Sequence, residues 1–401
     1  MNRTSVSRPT SFDVVVVGAG VVGAATALAL AREGLRVALV EGREPPSWNA
    51  ATPDLRVYAF APDNAALLDR LGVWGAIESA RSQPYRCMRV WDAAGGGELA
   101  FDADRLGRLE LGWIVENALL VDRLWNALPA AGVTILCPER VQEFSQDDSG
   151  ASVGLESGTR LRARLVVAAD GADSQLRQLA GIEAPTRDYG QRGLVAFIEH
   201  ERPHQSTCWQ RFLPTGPLAF LPFTPAAEGR HRSSIVWTLP ETEAGRMAAL
   251  DDSAFLGELD RAFDGPLAPL LGVSRRAAFP LRRQLASTQR QGRLVLVGDA
   301  AHVVHPLAGQ GVNLGLRDVA ALQQALRGGG SAGDPGAPAA LQRWARTRKS
   351  ESALAAGTFE ALNLAFSNDL LAPTLLRGHL LGLAGRMSML TRALWRRAAG
   401  L

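Results

Sequence analysis

Gly18, Gly20 and Gly23 restrict most what this chain can become. They stand at G-x-G-x-x-G spacing. Residues 12–17 before them are rich in β-branched side chains and read as a strand buried on both faces. Residues 24–33 after them read as a helix ended by Gly34, and residues 35–40 as a second buried strand. The whole is a βαβ unit. Glycines at these places permit the tight turn, the close approach of backbone to a pyrophosphate, and close helix–strand packing. The helix N-terminus attracts the phosphate charge. Glu41 closes the second strand about twenty residues on, where an acid binds ribose hydroxyls. Gly18, Ala19, Gly20, Gly23 and Glu41 therefore predict a dinucleotide site, without separating FAD from NAD. Residues 14–31 are uncharged, but the glycines divide them into strand, turn and helix rather than a membrane span or signal peptide.

The remainder sets limits. The chain has 401 residues, 47% hydrophobic and 21% charged, enough for a large globular core. A net charge of +3, with no basic run interleaved with aromatics, argues against a nucleic-acid partner. Lys349 is the only lysine and sits in a charged helical stretch, so Schiff-base chemistry is discarded. Cys87, Cys137 and Cys208 form no CxxC. No metal or disulfide framework is expected, and a cytoplasmic location fits.

Residues 85–92 and 98–102 flank Ala-Ala-Gly-Gly-Gly and read as a hairpin. Residues 117–131 read as a helix, and 141–169 as a meander returning to the first sheet. From about Gly190 the pattern changes to strand-like runs at 193–199, 207–213, 218–223 and 233–239, an antiparallel sheet. Residues 254–263 read as one helix, 275–285 as a return toward the first domain, and 313–326 as a helix. The predicted fold is α/β: a Rossmann-like FAD-binding domain with an inserted antiparallel-sheet substrate domain and C-terminal helices. The nucleotide domain is discontinuous, over residues 1–80, 103–189 and 286–365. The sheet domain takes 81–102 and 190–285, and 366–401 form a C-terminal helical region.

Two further segments carry chemistry. Val166-Val167-Ala168-Ala169-Asp170-Gly171 is a strand ending in an Asp-Gly turn, uninformative alone. Leu294-Val295-Leu296-Val297-Gly298-Asp299 is a strand that delivers Asp299, whose carboxylate can accept a ribityl hydroxyl. A Gly-rich turn through Gly309 and Gly311 then presents backbone N–H groups at a helix start, suited to negative charge on a reduced flavin.

With these three segments in order, the chain resembles the aromatic-hydroxylase group of flavoprotein monooxygenases. Residues 305–318, His-Pro-Leu-Ala-Gly-Gln-Gly-Val-Asn-Leu-Gly-Leu-Arg-Asp, are similar to the signature of the ubiquinone-biosynthesis hydroxylases of UbiH/UbiF/VisC type. So are residues 210–219, Gln-Arg-Phe-Leu-Pro-Thr-Gly-Pro-Leu-Ala, together with Arg56-Val57-Tyr58-Ala59, Leu71-Gly72-Val73-Trp74 and Val115-Glu116-Asn117. The resemblance covers nearly the whole chain. It implies that Arg56 lies near the flavin or its pyrophosphate, Asn117 beside the cofactor and Arg123 toward the FAD phosphates. It implies Asp299 on the ribityl chain and Val312 and Asn313 at the pyrimidine edge. Asp170 and Gly171 would serve both FAD and the nicotinamide donor, NAD(P)H. The implied reaction takes O2 and hydroxylates a prenylated phenol through a flavin C4a-hydroperoxide.

His305 and Pro306 are the candidates for activating or orienting the phenol, with His302 expected to pack beside the Gly298-Asp299 turn. Residues 370–401, rich in Leu and Arg, suit either a surface-bound amphipathic helix or a terminal helix packed on its own core. Peripheral membrane contact or docking to a biosynthetic complex follows from the first of these. A different, soluble phenol or a flavin-bearing scaffold within a complex stay open as alternatives. A halogenase is disfavoured, because no WxWxIP motif is present.

Overall fold

The N-terminal β-branched run forms the strand Thr10–Val17 at the middle of an eight-stranded sheet. The computed structural model describes residues 10–95, 97–226, 229–304, 310–327 and 333–366. Five strands of this sheet are parallel, in the order Leu294–Leu296, Arg160–Ala168, Thr10–Val17, Val37–Val40, Thr134–Leu136. Val17 lies level with Ala168 and with Val40, and Ala168 with Leu296. The strands that precede Gly18, Asp170 and Gly298 therefore end side by side at one edge. The meander Val141–Asp147, Gly150–Leu155, Arg160–Ala168 is antiparallel, as expected.

Helix Val21–Arg32 packs on this sheet and against helices Asn117–Ala127 and Gln310–Arg327. Its alanines Ala24, Ala25, Ala27 and Ala29 are all fully buried. Small side chains let three neighbours approach it at once, so it needs no polar face.

A second, nine-stranded sheet is almost wholly antiparallel. Its centre runs Ala277–Leu285, Thr186–His200, His231–Pro240, Gly216–Phe223, Thr207–Leu213. The predicted hairpin, Cys87–Asp92 with Glu98–Asp102, joins its far edge through a parallel pairing with Thr207–Leu213. The period-2 alternation sorts the two faces. Leu194, Phe220, Ile235 and Trp237 pack outward under Phe255, Leu259 and Phe263. Val195, Phe197, Ala219 and Leu221 pack inward against Leu55, Val57, Ala59 and Ile114. These last residues come from or adjoin a small sheet, Val57–Phe60, Gly112–Glu116 and Gln83–Tyr85, that sits between the two large ones.

Three elements differ from the sequence reading. Residues 277–285 form a strand paired along Thr186–His200 rather than a simple return. Helix Glu241–Ala249 precedes Asp252–Phe263, and it escapes periodicity because only Ala244 and Met247 are buried. Helix Trp74–Arg81 is short and buries only Trp74 and Ile77. Residues 367–401, most of the expected C-terminal helical region, lie outside the described residues. Among the described residues no helix is long and apolar enough to cross a membrane, and no group of three acids, histidines or cysteines could hold a metal.

Candidate active site

The three glycines of the first turn meet different surroundings. Gly18 has φ +95°, and a Cβ there would lie 2.4 Å from the Ala169 carbonyl oxygen. A Cβ on Gly23 would lie 1.9 Å from the Gly18 carbonyl oxygen. These two are required by packing. A Cβ on Gly20 would meet nothing within 4 Å. Gly20 is also the N-cap of helix Val21–Arg32, with no side-chain cap and no acid in the first turn. The helix thus offers its positive end to an open groove, as an anion site requires. That groove, about 450 Å³, is lined by Gly18, Gly20, Glu41, Arg140, Asp170 and Gly171 among others. The Glu41 carboxylate accepts from the Ala19 N–H at 2.6 Å and so stands at the groove wall.

The other two motif turns are tied together. Asp170 accepts from Leu176 N–H at 3.1 Å through Oδ2. Its Oδ1 is buried and finds no donor among the described residues. Ser174 caps the next helix, and Arg177 runs beneath both turns, donating to the carbonyls of Ala172 at 2.8 Å and Ala300 at 2.9 Å.

Behind the Gly298-Asp299 turn lies a buried ionic knot. Asp318 accepts from Gly298 N–H at 2.9 Å, His302 Nε2 at 2.7 Å and Arg348 Nε at 2.7 Å. Burial disfavours a charged His302, but the adjacent Asp318 carboxylate overcomes it and raises the imidazole above its ordinary range. Burial likewise works against a charged Asp318, while His302 and Arg348 hold it below the usual carboxylate range. His302 packs beside the turn as expected and does not line the cavity described next.

A cavity of about 230 Å³ separates the ends of these turns from the inner face of the second sheet. Arg56, Tyr58, Asp299, Gly311 and Val312 line one side, and Cys208, Ala219, Val236 and Phe279 the other. The sequence motifs assign the Tyr58 side chain no role. Its hydroxyl donates to Asn117 Oδ1 at 3.0 Å, and the Arg56 guanidinium lies 5.6 Å from its ring. Burial pushes the Tyr58 phenol up to about 12, against the opposing pull of Arg56. Asn117 therefore reaches the cavity wall through Tyr58.

Two predicted residues spend their side chains on the protein. Asn313 accepts from Ala61 N–H and Asn64, and donates to the Ala59 carbonyl, at 2.8–2.9 Å. It is fully buried and fixes the helix start to the Val57–Phe60 strand. Arg123 pairs with Asp122 and lies 5.5 Å from the Trp48 ring, lining neither cavity. His305, Pro306 and Gly309 lie outside the described residues.

A family model described as an FAD binding domain matches residues 11–333. The chain belongs to the FAD-dependent aromatic hydroxylase family. Among the hydroxylases similar to it, ubiquinone hydroxylase UbiL of Rhodospirillum rubrum is 40% identical over 393 residues, covering 97% of this chain and 89% of that one. The 3-demethoxyubiquinol 3-hydroxylase of Escherichia coli is 35% identical over 97% of this chain and 98% of its own. The fold is shared with p-nitrophenol 4-monooxygenase PnpA of Pseudomonas putida, at TM-score 0.78 and 22% identity, covering 98% and 99% of the two chains. The site fits the hydroxylases' cofactor, FAD. An uncapped helix end above the open Gly20 cradle suits a pyrophosphate. The undonated Asp170 Oδ1 and the Asp299 carboxylate suit hydroxyl donors. An apolar cavity beside Val312 suits an aromatic substrate.

Proposed function

We propose that this FAD-dependent monooxygenase hydroxylates the ring of a prenylated ubiquinone precursor. The observation that carries the reading is the level ending of three adjacent parallel strands, which sets the Gly18, Asp170 and Gly298 turns along one edge, beside an apolar cavity. Two relatives that match nearly end to end carry names of ubiquinone hydroxylases. The balanced reaction takes substrate, O2, NAD(P)H and a proton, and gives hydroxylated ring, water and NAD(P)+. FAD, when bound, supplies the electron transfer from the donor to O2.

The chain's own residues bind, orient and exclude water. Gly18–Gly23 and the helix they open would hold the pyrophosphate, with Glu41 on a ribose. Asp299 would hold the ribityl chain, and the helix start at Gly311 and Val312 the pyrimidine edge. Tyr58, itself part of the cavity wall, is anchored by Asn117 and packs against Arg56. The inner sheet face keeps the cavity dry, which protects an oxygenation from loss of its oxidant to water. In this reading residues 81–102 and 190–285 cover the substrate, and the other segments to 365 bind FAD. His305 or Pro306 would orient the phenol. The apolar tail of the substrate makes contact with a membrane surface or partner protein the expected mode of delivery. Deleting the gene and identifying the accumulated quinone intermediate by mass spectrometry tests the assignment. An intermediate lacking one ring hydroxyl supports it, and an unchanged quinone profile refutes it.

A further inference from the structure

Residues 41–56 join strand Val37–Val40 to strand Val57–Phe60, and none of them is in a helix or strand. A connection of that length without regular structure is uncommon unless it serves a site. Its two ends do reach the site: Glu41 stands at the groove wall and Arg56 at the cavity, which Asp299 also lines. Between Gly42 and Leu55 one backbone–backbone bond is found among the described residues, from Thr52 N–H to the Asn49 carbonyl at 3.2 Å. Side chains must therefore hold this segment in place.

The main anchor is Glu116, a fully buried carboxylate. Its Oε1 accepts from Asp54 N–H at 2.8 Å, and its Oε2 from Trp48 Nε1 and from Arg81, each at 3.2 Å. Arg81 also donates to the Ala50 carbonyl, and its guanidinium lies 5.3 Å from the Trp48 ring and 5.9 Å from the Phe223 ring. Asp54 passes the anchorage on. Its carboxylate accepts from Arg56 N–H at 3.0 Å and Ala118 N–H at 3.1 Å, and the Arg56 carbonyl accepts from Asn117 N–H at 2.8 Å. The Arg56 backbone is thus fixed on both sides, while the residue itself is exposed and open to a ligand. A buried carboxylate is costly unless donors complete it. Here two of the three donors belong to the segment, and the third also grips it.

We propose that Glu116 is a positioning residue for the cofactor: it fixes residues 48–56 so that Arg56 is held against FAD, and thereby slows FAD release. The inference rests on the placement of FAD in the proposed function. A glutamine at 116 has one acceptor oxygen. Whichever way it turns, its NH2 faces a donor, either Asp54 N–H or the Trp48–Arg81 pair. The test follows FAD release from the loaded full chain by flavin fluorescence after dilution, with no phenol present, so the choice of substrate does not enter. Glu116→Gln and Arg56→Met should each release FAD about tenfold faster. The double variant should be within about twofold of Arg56→Met, because Glu116 acts through Arg56. Trp48→Phe keeps the ring, removes one of the three donors and should release FAD about threefold faster. It decides the question if Glu116→Gln does not fold, and in the Arg56→Met background it should add nothing. Wild-type release in Glu116→Gln, or effects that multiply with Arg56→Met, overturn the inference, because a purely structural role would be independent of Arg56. Wild-type release in Arg56→Met alone shows instead that Arg56 does not hold FAD, and the inference falls with that placement.

Discussion

Arg177 donates to the carbonyl of Ala300 at 2.9 Å while also holding Ala172 at 2.8 Å. One buried side chain therefore straps the Asp170-Gly171 turn to the Gly298-Asp299 turn, 129 positions apart in the sequence for Gly171 and Ala300. Arg177→Ala would leave both carbonyls without these donors. We expect a loss on the order of 3 kcal/mol, from two charge-assisted hydrogen bonds. Arg177→Lys should recover only part, because an ammonium lacks the planar fork. Chemical denaturation of the apoprotein checks both values.

Gly20 and Gly23 should separate ligand binding from folding. Gly20→Val meets open space and should fold with stability within about 1 kcal/mol of wild type, yet purify without FAD. Gly23→Ala must displace the Gly18 carbonyl and should lower the yield of folded protein. Flavin content and circular dichroism of the two variants distinguish these outcomes.

The pair His302–Asp318 makes a pH-dependent contribution. The raised His302 holds its proton more tightly when folded, so its stabilisation is full below about 6.5 and fades as pH rises through the folded value. The depressed Asp318 contributes above about 3.9 and loses that as pH falls. The stability difference between wild type and His302→Gln should therefore be largest between about pH 4 and 6.5 and shrink toward alkaline pH. A difference that grows with alkalinity would contradict the arrangement.

Tyr58→Phe should cost about 1 kcal/mol, one hydrogen bond to Asn117, and leave flavin content intact. Asp299→Ala should do the reverse, preserving the unfolding midpoint of the apoprotein while weakening FAD retention. Parallel thermal melts and flavin quantification read both.

Much of this was legible in the chain because it is local. The strand, glycine turn, helix and Glu41 fall within thirty residues, and each turn motif follows its own apolar strand. The side chains' partners were not legible. Asn313 reads as a cofactor ligand from its motif, but it bonds to Ala59, Ala61 and Asn64, roughly 250 positions away. Tyr58 stands in the Arg56–Ala59 segment without a role attached to its side chain, and Thr238 stands in no motif. Their place at the cavity depends on how the small sheet and the nine-stranded sheet stack. Helix Glu241–Ala249 was invisible because two buried residues make no readable period.

Oxygen-isotope labelling tests the central claim most directly. The FAD-loaded protein is given NADPH and 2-prenylphenol under 18O2, and the product mass is measured. The account predicts a ring-hydroxylated product that carries one 18O atom. A hydroxyl oxygen drawn from water, or NADPH oxidation that yields only peroxide with every phenol tried, would contradict it.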